Sequence, residues 1–180
     1  EAKYDYSALQ KMLPATSAIV APGITKLGSS VLSGMKNLTS LQLPDTLTTI
    51  GANAFENCSG LKSLYIPASV TTIEASSYYS SPFTNCYFSL KVYCGAKSVP
   101  SGWGSGWNYR LSSSTVTAYF DMTREEYGYW TAARDNTATT VEFPDYIRQL
   151  PGSAFSNWDN LQSVVLSDQI TTIGNNAFYS

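Results

Sequence analysis

The sequence predicts a leucine-rich-repeat solenoid, right-handed and built from short parallel β-strands joined by turns and 3-10 segments, with few α-helices. The segment LTSLQLPDTLTTIGANAFENCSG begins at Leu38, and the similar segment LKSLYIPASVTTI begins at Leu61. The step from 38 to 61 is 23 residues, within the leucine-rich-repeat range. Because further copies occur elsewhere, each coil is expected to bury its apolar side against the next.

The first repeating feature is an alternating triplet. Leu41 and Leu43 flank Gln42, which is the period-two pattern of a half-buried strand with its middle residue in solvent. The same triplet recurs as Ile19-Val20-Ala21, Leu64-Tyr65-Ile66, Val92-Tyr93-Cys94, Val141-Glu142-Phe143 and Val164-Val165-Leu166. We therefore expect an outward row formed by Val20, Gln42, Tyr65 and Tyr93, followed by Glu142 and Val165.

Further columns follow the strand. A proline ends the strand ladder in four copies, because proline donates no hydrogen bond. An Ile or Leu comes next, then a glycine at Gly28, Gly51 and Gly174, which predicts a turn with positive φ. A large apolar residue and, three residues later, a Met, Cys or Trp complete the coil. Phe55 and Cys58 are the clearest examples.

These columns together resemble the BspA-like, or Treponema-type, leucine-rich repeat, whose unit reads LxxLxLPxxLxxIgxxAFxxC. Residues 38–60 match it almost fully, 161–178 match well, and 61–86 match with an insertion. The segment YCGAKSVPSGWGSGWN at 93–108 is similar to the one that closes many such arrays. The resemblance implies a secreted or surface protein that adheres to host or microbial partners.

The predicted organisation has four parts. Residues 1–15 hold an N-terminal cap helix, 16–94 hold repeats one to four, 95–137 form an insertion with a Gly/Trp loop and a helix at 124–134, and 138–180 hold repeats five and six. One continuous solenoid and two stacks in tandem are both open. Because the last repeat is incomplete, we expect either that the natural protein continues or that two copies self-associate end to end.

Composition narrows the function. Charged residues make up 13% of the chain and the net charge is −2, so there is no basic stripe for nucleic acid. No apolar run is long enough to embed the chain in a membrane. The chain has no histidine, the commonest general base and zinc ligand. We expect no catalytic residues, no metal and no cofactor.

Several side chains have structural interpretations. Cys58, Cys86 and Cys94 fall on inward columns, so we expect buried free thiols, with a Cys58–Cys86 bridge as the alternative. Thr123 and Glu126 form a capping box that starts the second helix. Glu125 and Glu126 are expected to lie on its solvated face.

The candidate binding residues are Gln42, Tyr65, Tyr93, Trp103 and Trp107. Tyrosine suits recognition because it is rigid and has a polar tip, although Tyr65 and Tyr93 could equally stabilise the sheet as a cross-strand pair. Trp103 and Trp107 are expected to cover the edge of the core, with sugar stacking as the alternative.

The sequence therefore predicts a non-enzymatic secreted or cell-surface module. Its expected partner is a protein, such as host matrix or a microbial surface component, bound through the strand face. The alternatives are a glycan-binding module that uses exposed Tyr and Trp, and a structural spacer of a larger surface protein.

Overall fold

The computed structural model describes residues 14–111, 114–132 and 136–179. The predicted cap helix of residues 1–15 lies almost wholly outside these residues. The helix predicted at 124–134 ends earlier, at Thr131, with Ala132 as its extended C-cap, and residues 133 and 134 lie outside the described part. The chain divides into two compact units, with the boundary between Asp121 and Met122. Each unit is a stack of coils held together by parallel strands.

The main column of the first unit contains one strand from each coil. Ser17–Ile19 pairs with Ser40–Gln42, and Lys91–Cys94 lies between Ser63–Ile66 and Thr117–Tyr119. All of these pairings are parallel. The stretch 95–137, expected as an insertion, therefore supplies one strand of this column.

The register of the first coil differs from the prediction by one residue. Ile19 pairs with Gln42 and Ala18 with Leu41, so Ile19 points outward and is 72% exposed. Val20, expected in the outward row, packs against the core instead. The predicted register places Pro22, which follows the first triplet, at the position of Pro44, which follows the second. At the 23-residue step, however, Ala21 occupies the position that matches Pro44. A slip of one residue exchanges the two faces of a strand.

A second column runs along another side of the same unit. It is a four-stranded parallel sheet in which Leu27, Ile50, Ile73 and Trp103 are in register. Trp103 thus takes the place that Leu or Ile holds in the other coils. The strands are Lys26–Leu27, Thr49–Ile50, Thr72–Ile73 and Gly102–Trp103.

The core between these columns contains the residues that the repeat pattern places inward. Phe55 and Phe83 are fully buried and their ring centroids are 5.9 Å apart. Leucines at 38, 41, 43, 47, 61 and 64 share this core. Burial of one such apolar side chain stabilises the fold by about 1.5–3 kcal/mol, so stacking the coils supplies most of the stability.

The predicted positive φ at Gly28, Gly51 and Gly174 is wrong, because none of these glycines has one. Positive φ lies two residues later, at Asn53 (58°) and Asn176 (55°). Gly51 is needed for a different reason, because a Cβ there would lie 2.5 Å from the backbone nitrogen of Ser29 in the preceding coil. The glycine permits close backbone approach between coils.

Irregular segments of the first unit lie beside its third and fourth coils. Tyr78–Ser80 forms a 3-10 turn in the inserted part of the third repeat. Tyr109–Leu111 and Ser114–Thr115 form a short antiparallel pair with a register shift.

The second unit has two coils and a helix. Thr140–Glu142 pairs with Ser163–Val165, and Gln149–Leu150 pairs with Thr172–Ile173, all parallel. Glu142 and Val165 are in register and exposed, as predicted. The helix, Arg124–Thr131, precedes these coils.

The helix begins at the predicted capping box. The Thr123 hydroxyl accepts from the Glu126 backbone N–H at 3.1 Å, and the Glu126 carboxylate accepts from the Thr123 backbone N–H at 2.8 Å. The predicted solvated position of Glu126 is wrong, because its side chain is fully buried and bonded to Arg148. Trp130, also buried, packs against Phe143 and Phe155.

Candidate functional site

The candidate site is the strand face of the first unit, formed by the outward residues Ile19, Gln42, Tyr65, Tyr93 and Tyr119. Gln42 is exposed beside Ile19 on the paired strand, with Ser17 and Ser40 exposed next to them. These residues form a small apolar and hydrogen-bonding surface on regular backbone. The backbone of a strand is already ordered, so binding at such a surface costs little further backbone freedom.

Three tyrosines continue the face in register, Tyr65 beside Tyr93 and Tyr93 beside Tyr119. The expected exposure of the first two is wrong, since Tyr65 is 7% exposed and Tyr93 2%. The rings of Tyr93 and Tyr119 lie 5.2 Å apart, and burial raises the pKa of Tyr119. The cross-strand pair of the alternative interpretation was Tyr65 with Tyr93, which are neighbours in register, and its role stays a prediction.

The side chain of Tyr65 extends along the surface, so that its hydroxyl group lies near Gly95 of the next coil. A Cβ on Gly95 would be 2.7 Å from the Tyr65 hydroxyl oxygen and 2.8 Å from the backbone nitrogen of Ala68. Only glycine at position 95 leaves room for the ring in this place. The tyrosine is thereby removed from solvent although its strand position points outward.

Trp103 and Trp107 are core residues, as the favoured interpretation predicted. Their rings meet edge to face at 4.7 Å, and both lie 6.1 Å from Phe120. The Trp103 indole Nε1 donates to the carbonyl of Val70 at 3.0 Å. Neither ring offers the open platform on which a sugar could stack, since they are 5% and 6% exposed.

Of the five predicted residues, Gln42 is the one that the structure leaves exposed. It brings Tyr65 next to Tyr93 and Trp103 next to Trp107, but it separates the tryptophans from the strand face by placing them in the core. Their roles in binding stay predictions.

Sequence reasoning missed Ile19 and Tyr119. The triplet pattern places Ile19 inward, whereas the 23-residue step matches it with the outward residue Gln42. Tyr119 lies 26 residues after Tyr93, within the spread of the repeat, and the alternation in Thr117-Ala118-Tyr119 was the signal that could have found it.

A second group of tyrosines surrounds the inserted part of the third repeat, where Tyr79 is exposed and Tyr78 is half-buried. Tyr79 is 72% exposed, and its ring centroid is 3.9 Å from that of Tyr78. Tyr109 lies 6.3 Å from Tyr78 on the other side. The hydrogen bond with Tyr79 is the main cause that raises the pKa of Tyr78.

The cysteines do not contribute to a reactive site. All three are buried and free, which confirms the prediction. Burial raises the pKa of Cys58 to about 11 and those of Cys86 and Cys94 to about 12. The thiols of Cys58 and Cys86 donate to the carbonyls of Leu32 and Phe55, respectively, at 3.2 and 3.1 Å. Thiols of this kind stay protonated and are poor nucleophiles.

In the part of the chain that the structure describes, no group of three or more His, Cys, Asp or Glu residues is arranged to hold a metal ion. The same residues include no helix that is both long and apolar enough to cross a membrane.

The paired strands and shared core define the class of protein as a leucine-rich-repeat solenoid. The family model for the BspA type leucine rich repeat region matches six copies, over residues 5–98 and 132–180. The chain therefore belongs to the BspA-type leucine-rich-repeat family. This family and fold are typically non-catalytic binding modules.

The chain is similar to several solved structures at low sequence identity. A leucine rich cell surface protein from Faecalibacterium prausnitzii A2-165 is 22% identical, with a TM-score of 0.41, over 90% of this chain and 38% of that one. The Leucine Rich Repeat protein of T. pallidum is 17% identical, with a TM-score of 0.35, over 89% and 74%. A leucine-rich repeat protein from Eubacterium ventriosum ATCC 27560 is 17% identical, with a TM-score of 0.37, over 91% and 51%.

The chain thus spans little more than a third of the length of the first of these structures. A comparison with curated proteins finds no match.

Proposed function

We propose that this chain is a non-enzymatic recognition module of a secreted or cell-surface protein, and that it binds a protein partner through the strand face. The observation that carries the proposal is the exposed pair Ile19 and Gln42 in register on adjacent strands. The Ile19 side chain is 72% exposed on a regular strand. Contact of this apolar surface with water is unfavourable, so a partner that covers it gains binding free energy.

The rest of the strand face supports this role. Tyr65, Tyr93 and Tyr119 stiffen the sheet beside the exposed pair, and the flanking serines offer hydrogen bonds without bringing charge. Interfaces of this composition, with few charged residues around an apolar centre, are typical of protein recognition. Membership of a family of binding modules points in the same direction.

The test is a binding assay of the purified chain on immobilised extracellular matrix proteins and on whole microbial cells. For a partner found there, Ile19→Ser should weaken binding about tenfold or more, as a central contact does. Ile24→Ser is the matched control, because Ile24 is another exposed isoleucine of the first coil. Equal effects of the two changes, or no effect of either, would place recognition elsewhere.

A glycan array distinguishes the alternative. Because Trp103 and Trp107 are buried, a glycan site would have to use other aromatic residues, such as the exposed Tyr79 with the half-buried Tyr78 and Tyr109 near it. Binding to glycans that is lost in Tyr79→Ser and kept in Ile19→Ser would replace the protein-binding proposal.

A further inference from the structure

The second unit contains a pocket that belongs to neither the strand face nor the exposed tyrosines. Its volume is about 260 Å³, and three aromatic rings and one carboxylate dominate its wall. Pockets for drug-sized ligands are roughly 300–1,000 Å³, so this one suits a small headgroup. The lining residues are Tyr129, Ala138, Thr140, Val141, Glu142, Phe155 and Trp158.

The aromatic rings form a corner. Phe155 and Trp158 meet edge to face, with centroids 4.9 Å apart and planes at 84°. Phe155 is 2% exposed and stacks on Phe178 at 5.3 Å, so its ring forms the buried floor of the pocket. Tyr129, from the helix, lines the pocket as well, and Trp130 packs behind Phe155 at 6.0 Å. Tyr129 and Trp158 are half-buried, so they are the two rings of the wall that a ligand can reach.

The charge of the lining is negative. Glu142 is the one ionisable carboxylate in the wall, and the wall contains no Lys or Arg. Among the residues that the structure describes, Glu142 takes part in no ion pair. It is exposed at the end of its strand, where its carboxylate faces solvent and can meet an incoming cation.

We propose that this pocket binds a quaternary ammonium group. A cation within about 6 Å of an aromatic face is attracted by the negative face of the ring, and a quaternary ammonium is the cation that aromatic cages recognise best because it sheds water readily. Glu142 adds charge complementarity at the rim. The site is independent of the strand face, which lies in the other unit.

The experiment is calorimetric titration of the whole chain with choline and, separately, with 3,3-dimethyl-1-butanol, the neutral isostere of choline. Choline should bind in the millimolar range, and the isostere should bind at least about tenfold more weakly. Equal binding of the two probes, or no choline binding in the millimolar range, would overturn the proposal. This comparison needs no variant and so does not depend on folding of a mutant.

A variant pair locates the site. Glu142→Gln keeps the size of the side chain and removes the charge, and it should weaken choline binding several-fold. Glu125→Gln removes an equally exposed carboxylate that does not line the pocket, and it should leave binding unchanged. If both variants weaken binding alike, net charge rather than the pocket is responsible, and the proposal fails.

Two sources of the ammonium group are separated by further probes. Phosphocholine represents a headgroup, and Nε-trimethyllysine represents a modified side chain. The probe that binds more tightly identifies the source. If neither probe binds and choline does not bind either, the proposed site is wrong.

Discussion

The carboxylate of Glu126 accepts hydrogen bonds from Arg148 at two points, the backbone N–H at 2.8 Å and the guanidinium Nη2 at 3.0 Å. The same carboxylate completes the capping box with Thr123. One buried side chain therefore caps the N-terminus of the helix and also binds the helix to the first coil of the second unit. Charge-assisted hydrogen bonds of this kind are roughly twice as strong as neutral ones.

We predict from this geometry that Glu126→Ala lowers the free energy of unfolding by roughly 2–3 kcal/mol, because it removes a cap and leaves the part-buried donors of Thr123 and Arg148 without their acceptor. Denaturant melts of the whole chain measure the change. Glu125→Ala is the control, since Glu125 is the exposed residue directly before Glu126. Its change in the free energy of unfolding should stay within about 0.5 kcal/mol. Similar losses in both variants would show that the buried bonds do not stabilise the helix.

A second prediction compares two glycines. Gly95→Ala should be destabilising, because the new Cβ would lie 2.7 Å from the Tyr65 hydroxyl oxygen and 2.8 Å from the Ala68 backbone nitrogen. Gly128→Ala should be stabilising by about 0.5–1 kcal/mol, since a Cβ there meets nothing within 4 Å and alanine favours the helix. Thermal melts that shift in the same direction for both would contradict the placement of Tyr65.

A third prediction concerns the thiols. At pH 8 an alkylating reagent should label none of the three cysteines in the native chain and all three after denaturation, because each is buried and the pKa of each is raised to about 11 or 12. Mass spectrometry counts the labels. Only one label on the denatured, unreduced chain would reveal a disulfide, of which Cys58–Cys86 is the alternative that the sequence left open.

The same thiols make stability depend on alkaline pH. A thiol whose pKa is raised in the folded state contributes its full stabilisation at pH values below its unfolded pKa of about 9. That contribution is lost as the pH rises through the folded pKa. We expect the free energy of unfolding, measured by denaturant melts at each pH, to fall between pH 9 and about 12, and to fall less in Cys58→Ala.

The fourth prediction concerns the last coil of the second unit. Val165, Leu166 and Ile173 are each about half exposed, and Ser163–Val165 pairs on one side with Thr140–Glu142. Because an open strand edge with apolar side chains favours pairing with another chain, we expect two copies to associate as concentration rises. Sedimentation or light scattering measures this association.

Leu166→Lys should reduce that association, since a charge on the edge opposes pairing. Ile24→Lys is the control, because Ile24 has a similar exposure in the first unit. A chain that stays monomeric at every concentration would refute end-to-end self-association.

Much of the fold follows from local pattern. Leu41, Phe55 and Cys58 are inward because they recur at the same places in each coil, and burial of these positions is what a stacked coil requires. The division of the chain at residues 15, 94 and 137 stays a prediction.

The sequence by itself determined the repeat, the inward columns and the capping box, because each depends on residues within one coil or one helical turn. Tertiary structure decided the register at Ile19, the burial of Tyr65 and Tyr93, and the pairing of Glu126 with Arg148. In these cases the environment of a side chain is set by a neighbouring coil or turn, as Gly95 sets that of Tyr65. The alternation of a strand specifies the direction of a side chain, but only the packed neighbours decide whether solvent reaches it.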